Sequence, residues 1–209
     1  MITIDKVTDL TNHLDGITAV IFDLDDTLYL EKDYVKSGYG KIAKAFPQIK
    51  NMQDKLWQVF LAGGKAIDQV LSQEGLLTDE NKNKCLEIYR NQVPDIKLDG
   101  SVDEMLKALK SDGYKLGIIT DGRVEGQRAK IKALDLERYV DQIIITDELG
   151  GIEMRKPNEK AFRLICERLG VDYKNAVYVG DNPKKDFIAP EKLGMRAIYY
   201  KNKEGLYSK

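Results

Sequence analysis

Short apolar runs alternate with amphipathic stretches along the second half of the chain. Runs typical of buried strands lie at residues 114–120, 142–146, 175–180 and 196–200. Helical spacing of apolar residues is found at residues 102–109, 125–134, 158–169 and 184–193. Pro190 is expected to bend or shorten the last of these helices. Strands that alternate with helices indicate right-handed βαβ units, so we predict an α/β fold with a parallel sheet covered on both faces.

An earlier apolar run, residues 19–22, ends abruptly at two acids, Asp23 and Asp25. This pattern is typical of a buried parallel strand whose carboxyl end meets solvent. Side chains alternate along a strand, so the two carboxylates start out on the same side. Two carboxylates in a cleft repel each other unless a cation lies between them, which indicates a hard ion such as Mg²⁺. Taken alone, the segment also fits a loop that caps the next helix.

Residues 31–97 follow a different pattern. No strand-like run stands out, and the apolar spacing around Leu56, Ile67 and Cys85 is helical. Proline and glycine interrupt it at Pro47, Gly63-Gly64, Gly75 and Pro94. We therefore predict two domains, a discontinuous core of residues 1–30 and 98–209 and a helical insert of residues 31–97.

Composition excludes several classes of protein. The chain has 209 residues and a net charge of −1, which indicates no basic surface for nucleic acid or for a membrane. No apolar stretch is long enough to span a membrane, and the N-terminus lacks a secretory pattern. The separated Cys85 and Cys166 fit reduced thiols in a cytoplasmic protein. The single histidine, His13, argues against Ser-His-Asp, Cys-His and zinc-histidine chemistry.

Ligands of open parallel sheets bind beyond the carboxyl ends of the strands. Polar residues stand at these predicted ends or at the start of the following helix, namely Asp23, Asp25, Thr120, Asp121, Gly122, Lys156, Asp181 and Asp186. Carboxylates, a hydroxyl and a lysine at one edge suit a phosphoryl group with a divalent ion. Ordinary structural roles stay open for each residue alone: Thr120 can simply end a strand, Lys156 can be a surface lysine, and Asp181 and Asp186 can stabilise helix N-termini.

Taken in order, four segments resemble the motifs of the haloacid dehalogenase superfamily of phosphohydrolases. They are Asp23-Leu24-Asp25-Asp26-Thr27, Thr120-Asp121-Gly122, Lys156 in Arg-Lys-Pro, and Gly180-Asp181-Asn182-Pro183-Lys184-Lys185-Asp186. The resemblance implies a three-layer, Rossmann-like parallel sheet with a mobile helical cap inserted after the first motif. It also implies a Mg²⁺-dependent phosphatase that hydrolyses a small phosphomonoester metabolite through an aspartyl-phosphate intermediate.

The resemblance assigns a role to each motif residue. Asp23 would be the nucleophile, and Asp25 would protonate the leaving alcohol and then activate water. Phosphate would be bound by Thr120, Asp121, Gly122 and Lys156. Magnesium would be held by Asp23, the backbone carbonyl of Asp25, Asp181 and Asp186, the last directly or through water.

Position 121 departs from the family pattern, since relatives often carry Asn where this chain has Asp. The additional carboxylate needs a partner or must point away from phosphate. Arg123 is a candidate for this partner, for a substrate contact, or for an ordinary surface residue. Tyr29, Tyr34, Tyr39 and Trp57 are candidates for the cap interface, although the helical spacing of Trp57 favours ordinary packing for that residue.

Other functions stay open at this point. A phosphomutase acting on a sugar phosphate uses the same groups, whereas a dehalogenase would lack the acid at position 25. A phosphoryl-accepting signalling domain has no insert after its acceptor strand, and a catalytically silent binding protein would have lost a motif residue. We expect the partner to be a small phosphorylated metabolite, with no nucleic acid and no membrane, and the sequence does not define the oligomeric state.

Overall fold

The computed structural model describes residues 1–206, so residues 207–209 of the predicted core lie outside the described residues. The chain forms two compact units. The first contains Met1–Glu31 and the described residues from Lys97 onward, and the second contains Lys32–Ile96. None of the helices within residues 1–206 combines the length and the apolar character needed to cross a membrane.

A six-stranded sheet forms the centre of the first unit. The strands are β1 (Ile2–Ile4), β2 (Ala19–Phe22), β3 (Lys115–Thr120), β4 (Gln142–Ile145), β5 (Ala176–Gly180) and β6 (Arg196–Tyr200). Their order is β1-β6-β5-β2-β3-β4, and every neighbouring pair is parallel. The predicted α/β fold is confirmed. β2, which leads to Asp23, lies between β5 and β3 and is fully buried, as its uninterrupted apolar run predicts.

Within the described residues, eight α-helices connect these strands. They are α1 (Glu31–Ala45), α2 (Met52–Leu61), α3 (Ala66–Gln73), α4 (Asp79–Arg90), α5 (Gly100–Ser111), α6 (Val124–Ala133), α7 (Lys160–Leu169) and α8 (Ile188–Leu193). α7 packs on the sheet face that carries Ile21, Ile119 and Tyr178. The amphipathic pattern of α7 therefore covers the apolar face of the central strands.

Two local features differ from the sequence-based expectation. β1 was not predicted, because three residues are too short for a clear pattern. The last helix was predicted from residue 184, whereas α8 begins at Ile188. Side chains compete with helical backbone hydrogen bonds here, since Asn182 Oδ1 accepts from the backbone of Lys184 and Asp186 Oδ2 accepts from that of Asn182.

The second unit has its own apolar core, built by α2, α3, α4 and most of α1. Its buried members include Ile42, Leu56, Val70, Leu71 and Cys85. Three of the aromatic candidates from the sequence take part in packing within this unit, which is the alternative favoured for Trp57. Tyr34 and Tyr39 are buried with their ring centroids 5.6 and 6.1 Å from that of Tyr89, and Trp57 stacks on Phe60 at 5.4 Å.

Candidate active site

Four neighbouring strands of the first unit end in polar side chains. In sheet order they lead to Asp181 after β5, Asp23 after β2, Thr120 and Asp121 at β3, and Thr146 after β4. A cavity of about 260 Å³ opens at this edge. It is lined by Asp23, Asp25, Glu31, Asp121, Gly122, Gln127, Arg155, Asp181, Asn182 and Lys185. The strand ends thus bring the predicted motifs to one place.

Three buried carboxylates form a cluster at this edge. Asp23, Asp181 and Asp186 each offer one oxygen atom, and these atoms lie within 4.8 Å of one another. Gly180 makes the arrangement possible, because a Cβ atom there would lie only 2.5 Å from Asp186 Oδ2. That oxygen accepts a hydrogen bond of 2.9 Å from the backbone of Asn182. An all-oxygen donor set of this kind suits a hard divalent cation.

Lys156 lies against the same cluster with no exposed side-chain surface. Its Nζ atom is 2.7 Å from Asp23 Oδ1 and 2.8 Å from Asp186 Oδ1, and it donates to the Tyr178 hydroxyl at 2.9 Å. Burial alone would lower the pKa of Lys156. Asp186 and Asp23 outweigh that effect and hold its pKa well above the ordinary value. Lys156 is therefore a permanently charged group beside Asp23.

The carboxylates are nevertheless incompletely neutralised. Burial raises the pKa of Asp23 to about 6, with a further contribution from Asp186, while Lys156 and Lys185 oppose the rise. Burial and the charges of Asp23 and Asp186 raise the pKa of Asp181 to about 8. In the protein without ligands, these carboxylates therefore repel one another in a site of low dielectric constant. A bound cation would relieve this repulsion.

Thr120 is fully buried at the end of β3. Its Oγ1 atom has no hydrogen-bond partner among residues 1–206. A buried hydroxyl without a partner is costly and calls for an explanation by a ligand or an ordered water. Its place at the end of β3, next to the strand that leads to Asp23, makes it a candidate donor to a bound anion.

Asp25 has different surroundings from Asp23. Lys130 Nζ lies 2.7 and 2.9 Å from its two oxygens, Gln127 Nε2 donates to Oδ2 at 3.0 Å, and the Tyr29 hydroxyl donates to Oδ1. Burial would raise the pKa of Asp25, but Lys130 and these hydrogen bonds lower it overall. The Asp25 side chain is not part of the carboxylate cluster found among the described residues.

The Asp121 carboxylate has three partners. It forms an ion pair of 2.8 Å with Lys185 and accepts hydrogen bonds of 3.0 Å from Thr146 Oγ1 and from the backbone of Lys156. Burial would raise its pKa, and Lys156 and Lys185 lower it. Of the alternatives for Arg123, pairing with Asp121 is wrong, because Lys185 occupies that position and Arg123 is exposed at the start of α6.

Sequence reasoning missed several residues of this site, among them Glu31 and Asn182 in the cavity lining. Gln127 and Lys130 are three positions apart on α6, so their common face could have been recognised from helical spacing. Lys185 precedes Asp186 directly. Arg155, next to Lys156, makes a two-pronged ion pair with Asp147, with both nitrogen–oxygen distances 2.7 Å. A sequence pattern could not reveal the carboxylate partners of these basic residues.

Comparisons with known proteins add independent information. The family model of haloacid dehalogenase-like hydrolases matches residues 20–200. A glyceraldehyde 3-phosphate phosphatase of Methanocaldococcus jannaschii is 28% identical over 204 residues, covering 87% of this chain and 84% of that protein. Pyrophosphatase PpaX of Bacillus velezensis is 27% identical over 178 residues, covering 79% and 75%.

Solved structures give the same picture of the fold. A HAD phosphatase from Thermococcus onnurineus is 28% identical with a TM-score of 0.54, covering 88% of this chain and 86% of that one. A HAD-superfamily hydrolase from Geobacter sulfurreducens has a TM-score of 0.66 at 18% identity, covering 89% and 88%. The second likeness is one of fold alone.

Proposed function

The chain belongs to the haloacid dehalogenase-like hydrolases, and on this basis we propose that it is a magnesium-dependent phosphatase that acts through an aspartyl-phosphate intermediate. The predicted family and the predicted hydrolase class are confirmed by the comparisons. Relatives named as phosphatases support a small phosphorylated metabolite as the substrate. The observation that carries the proposal is that two aspartates of the first motif have different surroundings. Asp23 lies beside Lys156 in the acid cluster, whereas Asp25 pairs with Lys130.

Asp23 is the proposed nucleophile. With a pKa of about 6, its carboxylate is mainly ionised at neutral pH and needs no general base. One of its oxygens would form a bond to phosphorus while the bond from phosphorus to the ester oxygen breaks. Lys156, 2.7 Å from Asp23 Oδ1, would then be close to the negative charge of the transferred phosphoryl group.

Asp25 is the proposed acid and base. It would give a proton to the departing ester oxygen and then take one from the water that hydrolyses the aspartyl-phosphate. In the protein alone its pKa is lowered, which favours the base. A phosphoryl dianion in the cavity would raise that pKa by charge repulsion and so favour the acid in the first step.

The remaining phosphate contacts follow from the strand ends. Thr120 Oγ1 would donate to a phosphoryl oxygen, which would satisfy a buried hydroxyl that otherwise has no partner among the described residues. The Asp121 carboxylate already has Lys185, Thr146 and Lys156 as partners. We therefore assign Asp121 and Gly122 a contribution through the backbone.

Asp23, Asp181 and Asp186 would hold Mg²⁺, with the backbone carbonyl of Asp25 as a further proposed ligand. The three carboxylates fit the ion because they are buried, close together and short of positive charge. When bound, the ion would stabilise negative charge on the phosphoryl oxygens.

The cavity of about 260 Å³ suits a small substrate. We propose a sugar phosphate or a nucleoside monophosphate, with the helical unit of residues 32–96 acting as the cap. The two buried, unbridged cysteines agree with the predicted cytoplasmic location.

The test is release of inorganic phosphate from a panel of sugar phosphates, nucleotides and other metabolite phosphates, with Mg²⁺ and with excess chelator. We expect metal-dependent release from a subset of small monoesters. The Asp23→Asn variant provides the background rate. Equal release in chelator, or by that variant, would overturn the proposal.

A further inference from the structure

One face of α6 is directed at the Asp25 carboxylate. Lys130 reaches both carboxylate oxygens, at 2.7 and 2.9 Å, and Gln127 reaches one of them at 3.0 Å. The Lys130 side chain is only 6% exposed, and that of Asp25 17%. Burial of a lysine is expensive unless it is paired. This pair is thus a well-defined contact of the protein interior and differs from a mobile surface ion pair.

Gln127 joins two of the motifs. Its Nε2 atom donates to Asp25 Oδ2 and also, at 2.9 Å, to the backbone carbonyl of Asp121. Gly122 leaves the space for it, since a Cβ atom there would lie 2.8 Å from Gln127 Nε2 and the backbone φ of 134° disfavours any other residue. The segment after β3 is therefore adapted to let α6 reach the Asp25 carboxylate.

We propose that Lys130 and Gln127 are positioning residues that hold the Asp25 carboxylate in the orientation needed for proton transfer. The inference rests on the proposed acid/base role of Asp25. Donors on both oxygens restrict rotation of the carboxylate, whereas a single contact would leave it free to turn. Proton transfer requires the acid within hydrogen-bond reach of the leaving oxygen, so orientation bears directly on the rate.

Proton donation can be separated from a general structural defect by the choice of leaving group. Phenyl phosphate and 4-nitrophenyl phosphate are similar in size, but only the phenolate of the first needs a proton in order to leave readily. The ratio of their kcat/KM values reports on the first chemical step. A mispositioned acid slows phenyl phosphate selectively, whereas partial misfolding slows both substrates equally.

The experiment compares Lys130→Met with Lys132→Met, which removes an exposed lysine from the same helix. For Lys130→Met we expect kcat/KM for phenyl phosphate to fall by about 10²-fold, the size of effect known for a misplaced catalytic group. The value for 4-nitrophenyl phosphate should fall much less. Lys130→Arg should restore part of the loss, and Lys132→Met should match the unmodified enzyme on both substrates.

Two further variants make the outcome decisive. Asp25→Asn shows the full effect of losing the acid. Gln127→Leu should show the same selectivity to a smaller degree, and it replaces Lys130→Met as the test if that variant does not fold. If Asp25→Asn is selective but Lys130→Met and Gln127→Leu slow both substrates equally, the inference is wrong and the proposed function stands. If Asp25→Asn is not selective, the proposed role of Asp25 fails and the inference fails with it.

Discussion

The interior of the helical unit and the strand-end edge of the core are both buried, yet they differ in chemistry. Residues such as Ile42, Leu56 and Val70 fill the helical interior without a charge among them. The strand-end edge buries the carboxylates of Asp23, Asp181 and Asp186, together with two lysines, Lys130 and Lys156, that pair with motif carboxylates. Apolar burial stabilises a fold by about 25 cal/mol per Å², whereas buried charges at best offset their own desolvation.

This difference shows which part of the molecule contributes to stability and which part is suited to catalysis. Asp23 and Asp181 have raised pKa values because burial and the neighbouring carboxylates make their ionised forms costly. Unfavourable electrostatics of this kind are typical of functional sites, and the proposed cation and phosphoryl group would relieve them. The following predictions test this contrast from the largest expected effect to the smallest.

Asp23→Asn should separate activity from stability most strongly. We expect phosphate release to fall to background, because the amide cannot attack phosphorus. The midpoint of thermal unfolding without metal should be equal or higher, because a buried carboxylate with a raised pKa is removed. Asp15→Asn, at an exposed position, is the matched control and should change neither value. A clear loss of stability in Asp23→Asn would contradict the contrast.

Leu56→Ala should show the opposite behaviour. Leu56 is completely buried in α2, so its truncation should lower the free energy of unfolding of its unit by about 2–5 kcal/mol. Leu61→Ala, which truncates an exposed leucine of the same helix, should cost less than about 0.5 kcal/mol. Denaturant unfolding measures both variants. Similar costs would show that the interior of the helical unit does not stabilise it as described.

Magnesium should stabilise the protein by binding at the acid cluster. At a concentration one hundred times the dissociation constant, the gain is about 2.7 kcal/mol. We expect the unfolding midpoint to rise on addition of MgCl₂ and to return on chelation. Asp181→Asn removes one proposed ligand and should abolish most of the rise. The same rise in this variant would place the binding elsewhere.

The stability without metal should also depend on pH, although Lys156 and Lys185 offset part of the effect of burial on Asp23. The folded pKa values of Asp23 and Asp181, about 6 and about 8, lie above the ordinary value of 3.8. Their contribution to stability is therefore fully present below pH 3.8 and is lost as the pH rises through about 6 and about 8.

Denaturant unfolding in chelator should thus show stability falling between pH 4 and pH 8. Asp25 and Asp121 have lowered pKa values and do not change this interval. Their contribution to the free energy of unfolding is lost only at lower pH, as the pH falls. Asp181→Asn should flatten the decline, and saturating Mg²⁺ should do the same in the unmodified protein. A rise in stability over this interval would contradict the pKa assignments.

The sequence by itself determined the α/β class and the main elements, because hydrophobic periodicity follows directly from backbone geometry. It also determined which residues stand at the strand ends, since a polar residue that follows a buried run must lie at the edge of the sheet. The place of Asp23, Asp121 and Asp181 could be predicted in this way. The short β1 and the late start of α8 could not, because a few local hydrogen bonds decide them.

Only the tertiary structure decided the partners of these acids. Asp25 meets Lys130, which is 105 positions away, and Asp121 meets Lys185, 64 positions away, where the sequence suggested the neighbouring Arg123. Such pairs depend on the strand order β5-β2-β3-β4 and on the direction in which each helix leaves the sheet. A pattern along the chain records the period of each element, whereas electrostatic pairing depends on distances of a few ångströms that arise only when separate elements pack together.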